Sequence, residues 1–369
     1  MTAAYRRFGV WIGLAVGAGL LFGVAPAVLS DFRLNLLGKY LCFAIIAVGI
    51  GLAWGRGGML TLGQGVFFGL GGYVMAMHMK LDDAGASGVP DFMQLYGSGA
   101  VPGWWEPFRS DIVTLIGIVA VPGVLALVLG LATFKRKVRG AYFAILSQAL
   151  AAAFAILLIG NQATTGGTNG LNGFRSFFGF DLTDPANKRI VYFITAAVLL
   201  VMVLIARQLY VSRYGELLVA CRDSEERVRF LGYDPANVKT VAYVIAAVMA
   251  GIAGALFTVI VGIISPADVG IVPSISMLIG VAIGGRTTLL GPVLGTIAIA
   301  WMETSLSESF PSIWIYFQGA VFMLVVAFLP GGLASLGSVL RRLRRPSRSA
   351  GTPADPAAAD RPDMVKGSA

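Results

Sequence analysis

Between Phe8 and Gly331 the chain returns repeatedly to apolar runs long enough to cross a bilayer, with no stretch between them that could build a soluble core. A helix rises 1.5 Å per residue and the hydrocarbon layer is about 30 Å thick, so one crossing takes roughly 20 residues. Lipid offers no partner for an open peptide group, so runs of this length must be helical. The expected fold is an all-α polytopic membrane protein. Composition agrees, because 13% of the 369 residues are charged against about 25% in soluble domains.

The runs predict about ten transmembrane helices, at 8–30, 37–54, 60–79, 112–134, 141–160, 190–208, 240–263, 271–284, 288–304 and 314–336. The first follows Arg6 and Arg7 as a signal peptide does, but it exceeds the usual signal core and reads as a retained signal anchor. With an N-in, C-in arrangement, 21 of the 28 Lys and Arg residues fall on the cytoplasmic side, and 11 of the 19 acids fall outside. The positive-inside rule thus accounts for the net charge of +9 without a nucleic-acid partner. All six Trp residues lie near span ends or in an outer loop, where amphipathic rings are favoured. The transmembrane body is 1–345, with outer loops 81–110 and 161–189 and a cytoplasmic loop 207–239. The tail 346–369, rich in Ala, Pro, Asp and Ser, is expected to be disordered.

Within the second and third runs, WGRGGMLTLGQGVFFGLGGY (residues 54–73) carries eight glycines and Gln64. Glycine costs about 1 kcal/mol relative to Ala in a helix, yet it lets membrane helices approach closely. Two readings stand together. Gly65, Gly69 and Gly72 form a packing face, or Gly63, Gln64 and Gly65 interrupt the helix beside a water-filled path. An unpaired amide facing lipid is costly, so Gln64 calls for a polar role. GGMLTLGQGV (57–66) and GGRTTLLGPV (284–293) share residues at equal offsets and suggest an internal repeat.

Several chemistries are disfavoured. Asp268, Glu303 and Glu308 fall at or beyond the outer span ends, so no acid or histidine chain crosses the membrane as a proton relay would. The single histidine, His78, is expected at the outer interface. One His with distant Cys42 and Cys221 supplies neither a hydrolytic site nor a metal cluster. GxxxxGK[ST] is missing, so the chain does not hydrolyse ATP itself. The expectation is a non-enzyme without a cofactor.

The cytoplasmic loop is the most informative stretch. From Tyr214 to Leu231 apolar Leu217, Leu218, Cys221, Val228 and Leu231 interleave with charges, predicting one or two short amphipathic helices. Asp234 and Pro235 then cap the next span. RYGELLVACRDSEERVRFLGYDPANVKTVAYVIAAVMAGIAGAL (213–256) resembles the signature region of permeases from branched-chain amino acid type ABC importers. The segments WGRGGMLTLGQGVFFGLGGY and GGRTTLLGPVLG are also similar to that family, over most of 37–335. TTGGTNGLNGF and the long Trp-containing outer loop resemble its urea-importing members.

This resemblance implies a heteromeric importer in the bacterial inner membrane. Its other parts would be a second permease, two cytosolic ATP-binding subunits and a periplasmic urea-binding protein. By the same analogy residues 213–232 contact the ATPase, with Glu216, Arg222, Asp223, Glu225 and Gly232 as the coupling residues. The outer loops receive the binding protein. A neutral cargo such as urea suits uncharged path groups, for which Thr61, Gly63, Gln64, Gly65, Thr168 and Asn169 are the candidates, with further amides and hydroxyls at Asn161, Gln162, Thr164, Thr165 and Asn172. Branched-chain amino acids are the alternative cargo. A stand-alone channel is the alternative class, and it would need no docking loop.

Overall fold

The computed structural model describes residues 3–309, except 139, and a few helical positions between 316 and 324. The expected tenth span and the tail 346–369 lie largely outside the described residues.

The chain is helical almost throughout. α1 (Ala3–Gly19) runs through a π-helical turn (Leu20–Val24) into α2 (Ala25–Val28). α3 (Asp31–Ile50) is extended by a π-helical turn, Gly51–Arg56. α4 (Gln64–Asp83) leads to the short α5 (Asp91–Tyr96), and α6 (Asp111–Phe134) and α7 (Ala141–Gly160) follow. After one turn of α8 (Gln162–Thr165) come the two-residue strands β1 (Leu171–Asn172), β2 (Ser176–Phe177) and β3 (Phe180–Asp181). α9 (Pro185–Val211) enters the short pair α10 (Arg213–Asp223) and α11 (Glu225–Phe230). α12 (Pro235–Val261) ends at β4 (Ile263–Ile264), followed by α13 (Pro266–Val269), α14 (Ile271–Gly284) and α15 (Gly291–Ser309).

Six of these helices are long and apolar enough to cross a membrane, among the described residues. α14 has 14 residues, so its length of roughly 21 Å falls short of the hydrocarbon thickness. The third span begins at Gln64 rather than at 60, because the glycines before it do not sustain a helix.

α12 lies at the centre. Its caps match the sequence, with the Asp234 carboxylate accepting from the Ala236 N–H at 2.9 Å, Pro235 in the first turn and left-handed Gly262 at the end. Phe67 meets Tyr243, Gly71 meets Gly251 and Gly72 meets Thr258, so α4 and α12 run in the same direction. The contact is backbone on backbone. A Cβ on Gly71 would overlap the Gly251 carbonyl, and one on Gly254 would overlap the Phe68 carbonyl. α3 and α6 pack antiparallel on other faces of α12, through Gly49 against Ala246 and Gly251 against Pro122. These directions agree with the alternation predicted from charge.

α14 and α15 form a hairpin with its own glycine seam, Gly280 and Gly284 against Gly291, Gly295 and Thr296. α3 and α4 form no comparable hairpin, because α12 packs against both and they meet each other at few points. The shared offsets of 57–66 and 284–293 therefore do not translate into equivalent packing.

The outer loops merge into one cap. Arg109 donates to the Gly85 and Gly88 carbonyls, each at 2.8 Å, and to Glu106 at 2.9 Å. The Trp105 indole donates to the Thr164 carbonyl at 3.2 Å, and Asp83 accepts from the Arg175 and Ser176 N–H groups at 2.9 and 3.0 Å. His78 lies buried beneath this cap rather than at an open interface, its Nδ1–H donating to the Phe108 carbonyl at 2.8 Å.

Overpacking at a close helix crossing costs typically 1–3 kcal/mol or more. Gly71→Leu is expected to cut the yield of monodisperse protein in detergent at least fivefold. Gly17→Leu, where no other atom comes within 4 Å of an added Cβ, is expected to leave it unchanged. Size-exclusion profiles of the two variants check this.

Candidate functional site

Two features converge where α3 gives way to α4: a helix interruption and the short helices α10 and α11 that lie against it.

The interruption runs over 57–63. Gly57, Gly58 and Met59 N–H groups close the end of the preceding helix on the Leu52, Trp54 and Ala53 carbonyls, and Gly58 takes φ +68°. Neighbouring helices supply hydroxyl partners at its far end. The Leu62 N–H donates to Ser147 Oγ at 3.0 Å, and the Gly65 N–H, in the first turn of α4, donates to Ser274 Oγ at 3.1 Å. Ser274 in turn donates to the Gly270 carbonyl at 2.9 Å, at the start of α14. Two helix starts thus meet inside the bundle through one hydroxyl.

Thr61 and Gln64 come together here. Each is 1% exposed, and Gln64 Nε2 donates to Thr61 Oγ1 at 3.1 Å. Gln64 Oε1 is buried with no hydrogen-bond partner, a state that costs about 1–3 kcal/mol. Gly63 packs on the Ser147 backbone, and Gly65 fits against the Val269 carbonyl and Ser274. Thr168 and Asn169 lie elsewhere, exposed on a 3-10 turn, Gly167–Asn169, of the outer cap. Their loop serves chain geometry: Gly166, Gly167, Gly170 and Gly173 have positive φ, Thr165 donates to the Leu158 carbonyl at 2.7 Å, and β1 pairs antiparallel with β4.

The two predicted amphipathic helices are α10 and α11. Ser212 caps α10 by accepting from the Gly215 N–H at 3.3 Å. Leu218, Cys221 and Val228 turn inward and are buried. Arg222 reaches across to the end of the preceding π-helical turn, donating from Nη1 to the Gly55 carbonyl at 2.9 Å while its aliphatic stem fills the space over Gly58. Glu225 accepts from Lys239 at 2.6 Å and lies 3.8 Å from Arg229, tying α11 to α12. Tyr214 adds a bond to the Val238 carbonyl at 2.8 Å.

Of the five expected coupling residues, Arg222 and Glu225 join the cytoplasmic helices to the membrane body. Glu216 is exposed in the first turn of α10, Asp223 pairs with Arg222 at 3.0 Å on the surface, and Gly232 turns the chain at φ +85°. Sequence reasoning missed Lys239 and the protruding Phe230 and Tyr233, which are 90% and 55% exposed, and it grouped Leu231 with the apolar face although Leu231 is 74% exposed beside them. The turn sequence RFLGY was the available signal.

A model of the family described as branched-chain amino acid transport system / permease component matches residues 32–326. The chain belongs to this family. The permease is 26% identical over 339 residues to the high-affinity branched-chain amino acid transport system permease protein LivM of Salmonella typhimurium strain LT2, covering 85% of this chain and 73% of that protein. It is 25% identical over 338 residues to the LivM protein of Escherichia coli strain K12, with the same coverage. To the LivH permease protein of Salmonella typhimurium it is 21% identical over 307 residues, covering 79% and 90%. No solved structure matches the chain. Membership and the apolar helices make the permease a multi-pass protein of the bacterial inner membrane.

The structure also revises the placement of charge. Asp268 and Glu303 do not sit clear of the bundle: both line a cavity of about 190 Å3 between α3, α12, α14 and α15, together with Lys39. Thr61 and Gln64 line none of the described cavities.

Burial pushes the Cys221 thiol above its ordinary range, which keeps it protonated near neutral pH. Maleimide is therefore expected to label Cys221 slowly in the folded permease at pH 7. Arg222→Ala, which frees α10 from the Gly55 carbonyl, is expected to raise the labelling rate at least tenfold. Mass spectrometry of timed samples in a Cys42→Ser background reads it directly.

Proposed function

We propose that this permease forms part of the transmembrane path of an ATP-driven importer for branched-chain amino acids. Its partners are a second permease, two cytosolic ATP-binding subunits and a binding protein outside the membrane. The chain itself performs no chemistry. Its task is to change shape when pushed.

The observation that carries this reading is the Arg222 to Gly55 bond. A docking helix is useful only if a displacement on its cytoplasmic face reaches the path, and here one arginine joins α10 to the residues that begin the helix interruption. The interruption leads in seven residues to Gln64 and to the meeting point of α4 and α14. Phe230, Leu231 and Tyr233 present apolar surface on the cytoplasmic side, as a segment that inserts into a partner would. A lone channel has no use for this arrangement.

The cargo reading moves from urea, expected first, to branched-chain amino acids. The names of the relatives support that change, as does a cavity carrying charges of both signs. Urea remains the second reading, favoured by the uncharged pair Thr61 and Gln64 at the interruption.

Uptake of labelled leucine and labelled urea in cells with the gene deleted and restored tests both. Loss of energy-dependent leucine uptake on deletion is the expected result. Loss of urea uptake alone would move the cargo to urea while keeping the machine. Removing Ser224 to Arg229 is expected to abolish uptake while the permease stays inserted, whereas flux that survives the removal would favour a channel.

A further inference from the structure

A zwitterion leaving water for the membrane interior needs a partner for each of its charges. The cavity between α3, α12, α14 and α15 offers both signs. Lys39 enters it from α3, Glu303 and Thr296 from α15, and Asp268 from the turn that precedes α14. Phe43 and Phe257, with ring centroids 5.6 Å apart, form its aromatic wall.

Lys39 lies roughly 12 Å along α3 from Asp31, and Glu303 roughly 9 Å from the Ser309 end of α15. Lys39 falls within a helix long and apolar enough to cross a membrane, where a charged group is costly and marks a functional site. Among the described residues no ion pair includes Lys39 or Glu303, and the Lys39 ammonium rests 5.9 Å from the centre of the Phe43 ring. Asp268 is partly committed, since its Oδ2 accepts from the Ser265 N–H and hydroxyl at 3.0 and 2.7 Å. Thr296 is 4% exposed, and its hydroxyl is buried with no hydrogen-bond partner. A second cavity, of about 290 Å3, shares Lys39, Phe43 and Glu303, so the two charged side chains stand where the cavities adjoin.

We infer that this cavity is a transit subsite for a free α-amino acid. Glu303 and Asp268 face its ammonium group, Lys39 and the Thr296 hydroxyl hold its carboxylate, and Phe43 and Phe257 carry its apolar side chain. The inference rests on the amino-acid reading of the cargo. A site formed from charges that no close ion pair holds, and that keeps its occupant only in passing, releases it readily, as transport requires.

The test uses the whole importer in proteoliposomes, with labelled leucine, the binding protein and ATP, comparing wild type with Lys39→Met, Glu303→Gln, Thr296→Val and the double variant K39M/E303Q. Lys39→Met and Glu303→Gln are each expected to lower leucine uptake at least tenfold and Thr296→Val severalfold, with stimulated ATP hydrolysis retained. The double variant is expected to be no better than either single one. If the two charges merely neutralise each other, the double variant recovers uptake, and that result overturns the subsite. Uptake at the wild-type rate in the single variants overturns it too, while leaving the cargo reading intact. A wild-type complex that moves no leucine removes the cargo reading and the subsite together. Where a neutral variant fails to assemble, Lys39→Arg and Glu303→Asp keep the charge and shift its position. A severalfold rise in KM then supports the subsite and an unchanged KM overturns it.

Discussion

Everything in this permease is arranged around the backbone contact between α4 and α12. Lipid tails are as apolar as leucine, so burying apolar side chains gives little drive for two membrane helices to associate, and close packing must supply it. At Gly71 against Gly251 and Gly254 against Phe68 the helices approach until the next atom of side chain would have no room. That closeness makes α12 the hub, with α3 and α6 on its other faces. It also fixes where α4 can start, and hence where the interruption before it must lie. The helix propensity lost at each glycine, about 1 kcal/mol, is offset by dispersion contacts over the whole crossing.

A bundle held this way can tolerate a stretch of non-helical backbone only if every exposed peptide group finds a partner. At the interruption Ser147 takes the Leu62 N–H, and just beyond it Ser274 takes the Gly65 N–H in the first turn of α4, both from helices distant in sequence. The same economy holds on the cytoplasmic side, where Arg222 satisfies the Gly55 carbonyl that the ending helix leaves open. The contact proposed to carry a displacement from α10 is thus also one that satisfies the backbone.

Most of the span pattern was legible in the sequence because apolar periodicity and length report directly on what a bilayer accepts. The fifth span, 141–160, coincides with α7 to the residue. The run 271–284 coincides with α14, though that helix is too short to cross the hydrocarbon layer, and the charge count gave directions that the packing supports. Less was legible where function depends on distant residues meeting. Thr61 and Gln64 are three apart and could be paired on paper. Thr168 and Asn169 looked equivalent to them, yet they belong to a turn of the outer cap. Lys39 was passed over because it fell inside an apolar run, and Glu303 because it stood near a span end. Only the folding of α15 back on α14 beside α3 brings the two to one cavity. Lys239 was hidden in the same way, as a cap-proximal residue whose partner Glu225 lies on another helix.

The hydroxyl of Ser274 has a mechanical meaning. It is a single latch between two helix starts, and a neutral hydrogen bond of this kind contributes only about 1 kcal/mol net. Neither helix depends on it for its own ladder, so opening it melts nothing. α14 is tied to α15 by its glycine seam and α4 to α12 by another, so this one hydroxyl joins two helix pairs that are each held far more tightly than they are to each other at this point.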